Sequence, residues 1–150
     1  MLLNKVFVGP AGTTTRLHFD AHSSHAWLAQ VQGRKLFVLF PPNTQGLRPL
    51  PGEQTTQSPI DPLDVAARGV GGEGGAGVGL PAGMRFAVLK RGETLLVPDG
   101  WWHYAASVEQ TVTVMRNFYE ATTNVRGLVE LFAENFKMHA QAKRRGGGVS

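Results

Sequence analysis

The chain contains no cysteine in its 150 residues. Disulfide cross-links and thiolate metal sites are therefore excluded, which is compatible with a reducing compartment. No apolar run is long enough to span a bilayer. The start, Met1-Leu2-Leu3-Asn4-Lys5, carries too few apolar residues for a secretory signal, so an intracellular protein of nucleus or cytoplasm is expected. Charge is also sparse, at 17% of residues with a net of +4. Part of it sits in Lys143-Arg144-Arg145, which no aromatic-interleaved basic face accompanies, so nucleic acid is not the expected partner. No internal repeat is visible, and the length suits one domain with one moderate core.

What is present is mostly strand-like. Residues 6–9 and 13–20 read as extended, separated by the turn Gly9-Pro10-Ala11-Gly12. Residues 26–32 and 35–40 read as two strands joined at Gly33-Arg34. In the second, Leu36-Phe37-Val38-Leu39-Phe40 is apolar throughout, which predicts burial of both faces before Pro41-Pro42 ends it. Residues 84–90, 93–97, 101–108 and 111–119 supply four more strands, punctuated by Arg91-Gly92 and Pro98-Asp99-Gly100. The last alternates. Val112, Val114 and Phe118 share one face, while Thr111, Thr113, Met115, Asn117 and Tyr119 share the other, a pattern that suggests a lined cavity.

Glycine and proline concentrate in residues 43–83, together with Gln and Thr. Such a composition buries little, and the segment reads as a largely disordered surface insertion with a short helix over Pro62–Ala67. Residues 124–142 predict a helix. Val125, Leu128, Val129, Phe132 and Phe136 form one stripe, Thr123 or Asn124 can cap it, and the stripe suits either the domain itself or a homodimer contact. The remaining residues, 143–150, read as a basic, glycine-rich tail.

Chemistry concentrates in His18-Phe19-Asp20 and the distant Trp101-Trp102-His103. Two imidazoles and a carboxylate are the ligand set of a mononuclear non-haem Fe(II) site with open positions. His18 and Asp20, two apart on a strand, share a face. Bringing His103 to the same point requires a sheet that folds over itself, as in a double-stranded β-helix or jelly roll. Taken singly, each motif is common by chance. His22 and His25 stand near the first motif and read as solvated loop residues.

The segments TTTRLHFDAHSSHAWLAQVQGRKLFVLFPP and GETLLVPDGWWHYAASVEQTVTVMRNF together resemble the JmjC (jumonji C) family of cupin-like 2-oxoglutarate dioxygenases, in its small hydroxylase branch. The resemblance rests on His-x-Asp, Trp27, Gly33-x-Lys35, Phe40-Pro41-Pro42, Val97-Pro98, Trp101-Trp102-His103 and Asn117-Phe118. It implies an all-β core, a double-stranded β-helix with a C-terminal α-helix, over residues 1–142 with the insertion at about 43–83. It implies Fe(II) held by His18, Asp20 and His103, with 2-oxoglutarate and O2 as cosubstrates. Lys35 matches the lysine that pairs with the far carboxylate of 2-oxoglutarate. Thr15 matches a hydroxyl donor, and sharing a face with His18 would need a bulge. Asn117 matches an amide near the cosubstrate.

Two departures accompany the match. The family asparagine eight residues after the aspartate is Leu28 in this chain. The upstream strand that carries a tyrosine is expected to be missing or nearly so, along with other N-terminal elements. The implied activity is side-chain hydroxylation of a protein or peptide, without membrane attachment. The alternatives are N-methyl-lysine demethylation, or a metal-binding but inactive interaction module. Trp101, Trp102 and Tyr104 can line a substrate approach, although barrel packing explains them as well.

Overall fold

The computed structural model describes residues 4–52, 56–64 and 83–146. Eight strands run in chain order: β1 (Asn4–Gly9), β2 (Thr14–His18), β3 (His25–Gln32), β4 (Lys35–Phe40), β5 (Arg85–Leu89), β6 (Thr94–Val97), β7 (Trp102–Ser107) and β8 (Thr111–Phe118). A long helix, α1 (Val125–Gly146), follows. The strands form two four-stranded sheets, β1-β8-β3-β6 and β2-β7-β4-β5, whose pairings are all antiparallel. Consecutive strands repeatedly cross from one sheet to the other, which is the winding of a double-stranded β-helix.

The extended segment expected at 6–9 is observed as β1. β1 is a full strand that pairs with β8 from Asn4↔Arg116 to Gly9↔Thr111. Turn chemistry sets the crossings between the sheets. Gly33, between β3 and β4, has φ +73°, and a Cβ there would stand 2.1 Å from the Gln110 carbonyl oxygen. Only glycine meets both demands.

Two apolar clusters flank the second sheet. Ala26, Leu28, Val97 and Met115 of the first sheet meet Phe37, Leu39, Leu89 and Ala105 of the second, filling the space between them. On the other side, Leu17, Val38, Phe40, Trp102 and Tyr104 pack with Leu47 and Ile60. The double coverage explains why β4 is apolar at every position after Lys35. Each fully buried side chain of this size contributes about 1.5–3 kcal/mol relative to exposure.

Leu47 and Ile60 belong to the stretch expected to be disordered, and this part of that expectation is corrected. Residues 56–58 lie against β2. The Ser58 N–H donates to the Leu17 carbonyl at 2.8 Å, the Phe19 N–H donates to Thr56 at 3.0 Å, and Gln57 bridges His18. An otherwise bare edge of β2 is thereby covered. Apolar residues spaced among the prolines make this docking favourable despite the composition. Residues 62–64 are helical as expected; 65–67, and the glycine-rich run at 69–79, lie outside the described residues.

Alternation also separates the neighbours in Trp101-Trp102-His103. Trp102 and Tyr104 point outward into the second cluster, and Trp101 packs on the first, so all three are packing residues. His103 points between the sheets. On β8, Thr111 and Thr113 are tied into buried hydrogen bonds. Thr113 Oγ1 donates to Gln30 Oε1 at 2.9 Å, and Thr111 Oγ1 pairs with Ser107 Oγ at 2.9 Å, all four residues being buried.

Helix α1 runs on to Gly146, so the basic cluster continues the helix rather than starting a tail. Most of its stripe is exposed, with Leu128 half-buried. Val129, Phe132 and Phe136 are 63%, 55% and 74% exposed. Among the described residues no helix is long and apolar enough to cross a membrane.

Candidate metal centre

β2 and β7 are neighbours, and His18 and His103 are direct cross-strand partners. The register runs Thr15↔Ala105 and then His18↔His103, three steps on β2 against two on β7. That one extra residue is the bulge the Thr15 reading required. It turns Thr15 and His18 onto the same inner face.

The two imidazole rings lie 4.1 Å apart, centroid to centroid, tilted by 52°. Both Nδ1 atoms face backbone carbonyls two residues earlier: His18 to Arg16 at 2.8 Å and His103 to Trp101 at 3.1 Å. A carbonyl can only accept, so each Nδ1 must carry the proton. In the neutral ring, Nε2 then presents a lone pair. Burial, reinforced by the neighbouring His18, pushes His103 down to about 4, against the opposite pull of Asp20 and the Trp101 carbonyl. His103 is therefore neutral near pH 7, the form in which imidazole binds metal.

Asp20 completes the group. One ligating atom each from His18, Asp20 and His103 lie within 4.8 Å of one another. Asp20 Oδ2 is buried and has no hydrogen-bond partner, alone in this respect among the described residues. Asp20 also occupies the capping position of the turn Ala21–Ser23, yet its side chain makes no capping bond. A buried carboxylate oxygen without a donor is costly. The neutral His103 beside it offers a lone pair and no proton to offset that cost. A cation satisfies all three, so these residues fit a divalent metal.

Behind the imidazoles a narrow cavity of about 40 Å³ runs between the sheets. Thr15, Lys35, Phe7, Leu28, Phe37 and Met115 help to line it. Lys35 opens β4 and is only 7% exposed. Burial lowers its pKa, and among the described residues it has no ion-pair partner. Its Nζ lies 5.5 Å from the centre of the Phe7 ring, a weak substitute for an anion. Four of the six expected site residues thus meet around one cavity: Thr15, His18, Lys35 and His103.

Asp20 faces the other side. A larger cavity of about 250 Å³ there is lined by Asp20, His22, Ser24, Asn117, Tyr119 and Lys5, among others. Asn117 is therefore not beside Lys35. Its Nδ2 donates to Ser24 Oγ at 3.1 Å, closing the end of β8. Burial, then Asp20, raises the Tyr119 pKa.

His25 is not a loop residue but the first of β3. Its Nδ1 accepts from the Asp99 N–H at 2.9 Å and its Nε2 meets Thr123 Oγ1 at 2.9 Å. Both nitrogens are occupied in a neutral ring, so the Asp99 carboxylate 3.6 Å away is a neighbour rather than an ion-pair partner. Phe7 was missed in the sequence because a strand in isolation does not show its register. Its pairing with Thr113, which points inward, places Phe7 on the inner face.

A two-sheet β-helix carrying a histidine–carboxylate–histidine group is the architecture of the cupin class. Residues 3–124 match the model of the cupin-like domain, and the chain belongs to that family. It is 27% identical over 140 residues to the arginine-specific demethylase JMJ22 of Arabidopsis thaliana, covering 83% of this chain and 24% of that protein. It is 30% identical over 115 residues to the 2-oxoglutarate and iron-dependent oxygenase JMJD4 of Danio rerio, covering 75% and 26%. It is 30% identical over 129 residues to the bifunctional arginine demethylase and lysyl-hydroxylase psr-1 of Caenorhabditis elegans, covering 74% and 28%. The chain spans about a quarter of the length of these relatives.

Proposed function

We propose that this chain carries the catalytic core of an Fe(II)- and 2-oxoglutarate-dependent oxygenase that hydroxylates a side chain of a protein or peptide. The observation that carries the reading is the unpartnered Asp20 Oδ2 beside two imidazoles whose Nε2 atoms are freed by backbone carbonyls. The names of the relatives, which include 2-oxoglutarate and iron-dependent oxygenases and a lysyl-hydroxylase, support it.

In this reading His18, Asp20 and His103 hold Fe(II). Bound iron, with 2-oxoglutarate and O2, supplies the oxidising chemistry, and succinate and carbon dioxide leave. Lys35 neutralises the distal carboxylate of 2-oxoglutarate by a charge-assisted bond, with the Thr15 hydroxyl as a second donor. A buried cation without a carboxylate beside it suits an anionic ligand that comes and goes. Leu28, Phe37 and Met115 keep that end dry, which strengthens the Lys35 interaction. The substrate side chain approaches through the larger cavity on the Asp20 side. Asn117 acts on that side through Ser24 rather than on the cosubstrate. We place the protein in nucleus or cytoplasm, and we assign the uncovered stripe of α1 to a second copy of the chain.

The test is stoichiometric. Purified protein with Fe(II), O2 and 2-oxoglutarate should form succinate, and mixed peptides should gain one oxygen. Loss of a methyl group with formaldehyde release would favour the demethylase reading instead. A second reading, a metal-binding module without turnover, is favoured by Leu28 and Phe7, which leave the cavity few polar groups. Metal uptake without 2-oxoglutarate binding or succinate would establish it. Sedimentation of the intact chain against Phe136→Glu tests the second copy; an unchanged monomer in both would remove it.

A further inference from the structure

The turn that follows Asp20 is strained. His22 and Ser23 are consecutive non-glycine residues with φ of 57° and 50°. Each sits in the left-handed region, where a Cβ crowds the backbone, and a pair in succession is rarer still. Such a turn persists only if its surroundings hold it.

The start of helix α1 holds it. Asn124, 3% exposed, was expected to cap the helix. Instead its Nδ2 donates to the Ser23 carbonyl at 2.8 Å, and its Oδ1 accepts the Glu120 N–H. One turn later, Gly127 lies directly on the His22 carbonyl. A Cβ on Gly127 would stand 1.9 Å from that oxygen. From the other side, Asn117 donates to Ser24 Oγ, which itself donates to the Ala21 carbonyl at 3.1 Å. Three residues far along the chain therefore converge on the four that follow Asp20. Neither asparagine side chain is hydrogen-bonded to His18, Asp20 or His103.

We infer that Asn124 and Gly127 are positioning residues for the metal centre: by clamping the His22–Ser23 turn they aim the Asp20 carboxylate. The backbone between Asp20 and β3 is short and left-handed at His22 and Ser23, so its conformation sets where the Asp20 Cα–Cβ bond points. Without the clamp the turn relaxes to negative φ, and Asp20 Oδ2 leaves the two Nε2 atoms. This inference rests on the metal-site reading above and extends it to a helix that does not touch the metal.

The experiment measures Co(II) affinity by calorimetry in the intact chain, and amide exchange of residues 20–24 in the metal-free protein. Asn124→Ala and Gly127→Ala should each weaken Co(II) about 10–100-fold, as expected when support of a ligand is removed. Exchange at 20–24 should rise in both. Ser23→Gly accepts φ > 0 without strain, so adding it to Asn124→Ala should recover part of the affinity. A purely structural anchor predicts otherwise: α1 exchanges faster, Co(II) affinity per folded molecule is unchanged, and Ser23→Gly recovers nothing. That result overturns the inference. Wild-type protein that binds no Co(II), or binds it equally well after Asp20→Ala, overturns the metal-site reading instead. The exchange of residues 20–24 then still decides whether α1 clamps the turn.

Discussion

The two ends of the same barrel treat buried polar groups in opposite ways. At one end Gln30, Ser107, Thr111 and Thr113 are sealed from solvent, and their side chains are bonded to one another or, at Gln30 Nε2, to the Gln32 carbonyl. At the other, Asp20 Oδ2 is buried without a partner, close to the imidazoles of His18 and His103. Residue type alone does not distinguish the ends, since both insert polar side chains between the same two sheets. Satisfaction does. A closed polar network rigidifies a core, whereas an open one stores a demand that a ligand must meet.

The sharpest way to break this comparison is to remove a ligand. His18→Ala or Asp20→Ala should abolish stoichiometric metal binding in calorimetry while the metal-free chain stays folded by circular dichroism. Retained stoichiometry would mean the open end is not a metal site. Next in size is Lys35→Met. It should weaken 2-oxoglutarate at least about tenfold, as expected for loss of a charge-assisted bond. The same change should leave the cosubstrate-free protein as stable or more stable, because a buried cation without a partner is removed. A large loss of stability would show that Lys35 is structural.

The third test uses acid. Folded His103 titrates at about 4 and the unfolded residue at about 6.5. Between those values the unfolded chain binds a proton that the folded chain refuses. The metal-free protein should therefore lose stability as pH falls from 6.5 to 4, by up to about 3 kcal/mol from this residue alone. Urea midpoints across that window should be flatter for His103→Gln, and parallel curves would sink the assignment. The smallest effect belongs to the closed end. Thr113→Val strands the Gln30 carbonyl and should cost about 1–3 kcal/mol with metal affinity unchanged. Adding Gln30→Met should return much of that loss. A fall in metal affinity instead would mean the two ends are coupled.

Several parts of this molecule were legible because they depend on local pattern. Strand limits followed from period-2 alternation interrupted by Gly33, Gly92 and Pro98-Asp99-Gly100, and the helix followed from its apolar stripe. The pair His18 and Asp20, and the need to bring His103 to them, also followed from spacing and chemistry. Other parts depend on register. The parity of Thr15 with His18 turns on one bulged residue that no propensity marks. The inward aim of Phe7 turns on its pairing with Thr113. Asn117 shares a face with Met115, yet the end of β8 carries it to the Asp20 side. The docking of Leu47 and Ile60 was hidden by the proline-rich composition around them.

By itself the sequence determined which residues alternate, where the chain must turn and which side chains can bind a metal, because each follows from neighbours within a few residues. Tertiary structure alone decided which polar groups are left unsatisfied, which cavity each faces and that a helix more than a hundred residues away holds the turn after Asp20. Those outcomes depend on pairing between distant segments, where a single residue of register reverses the direction of every side chain.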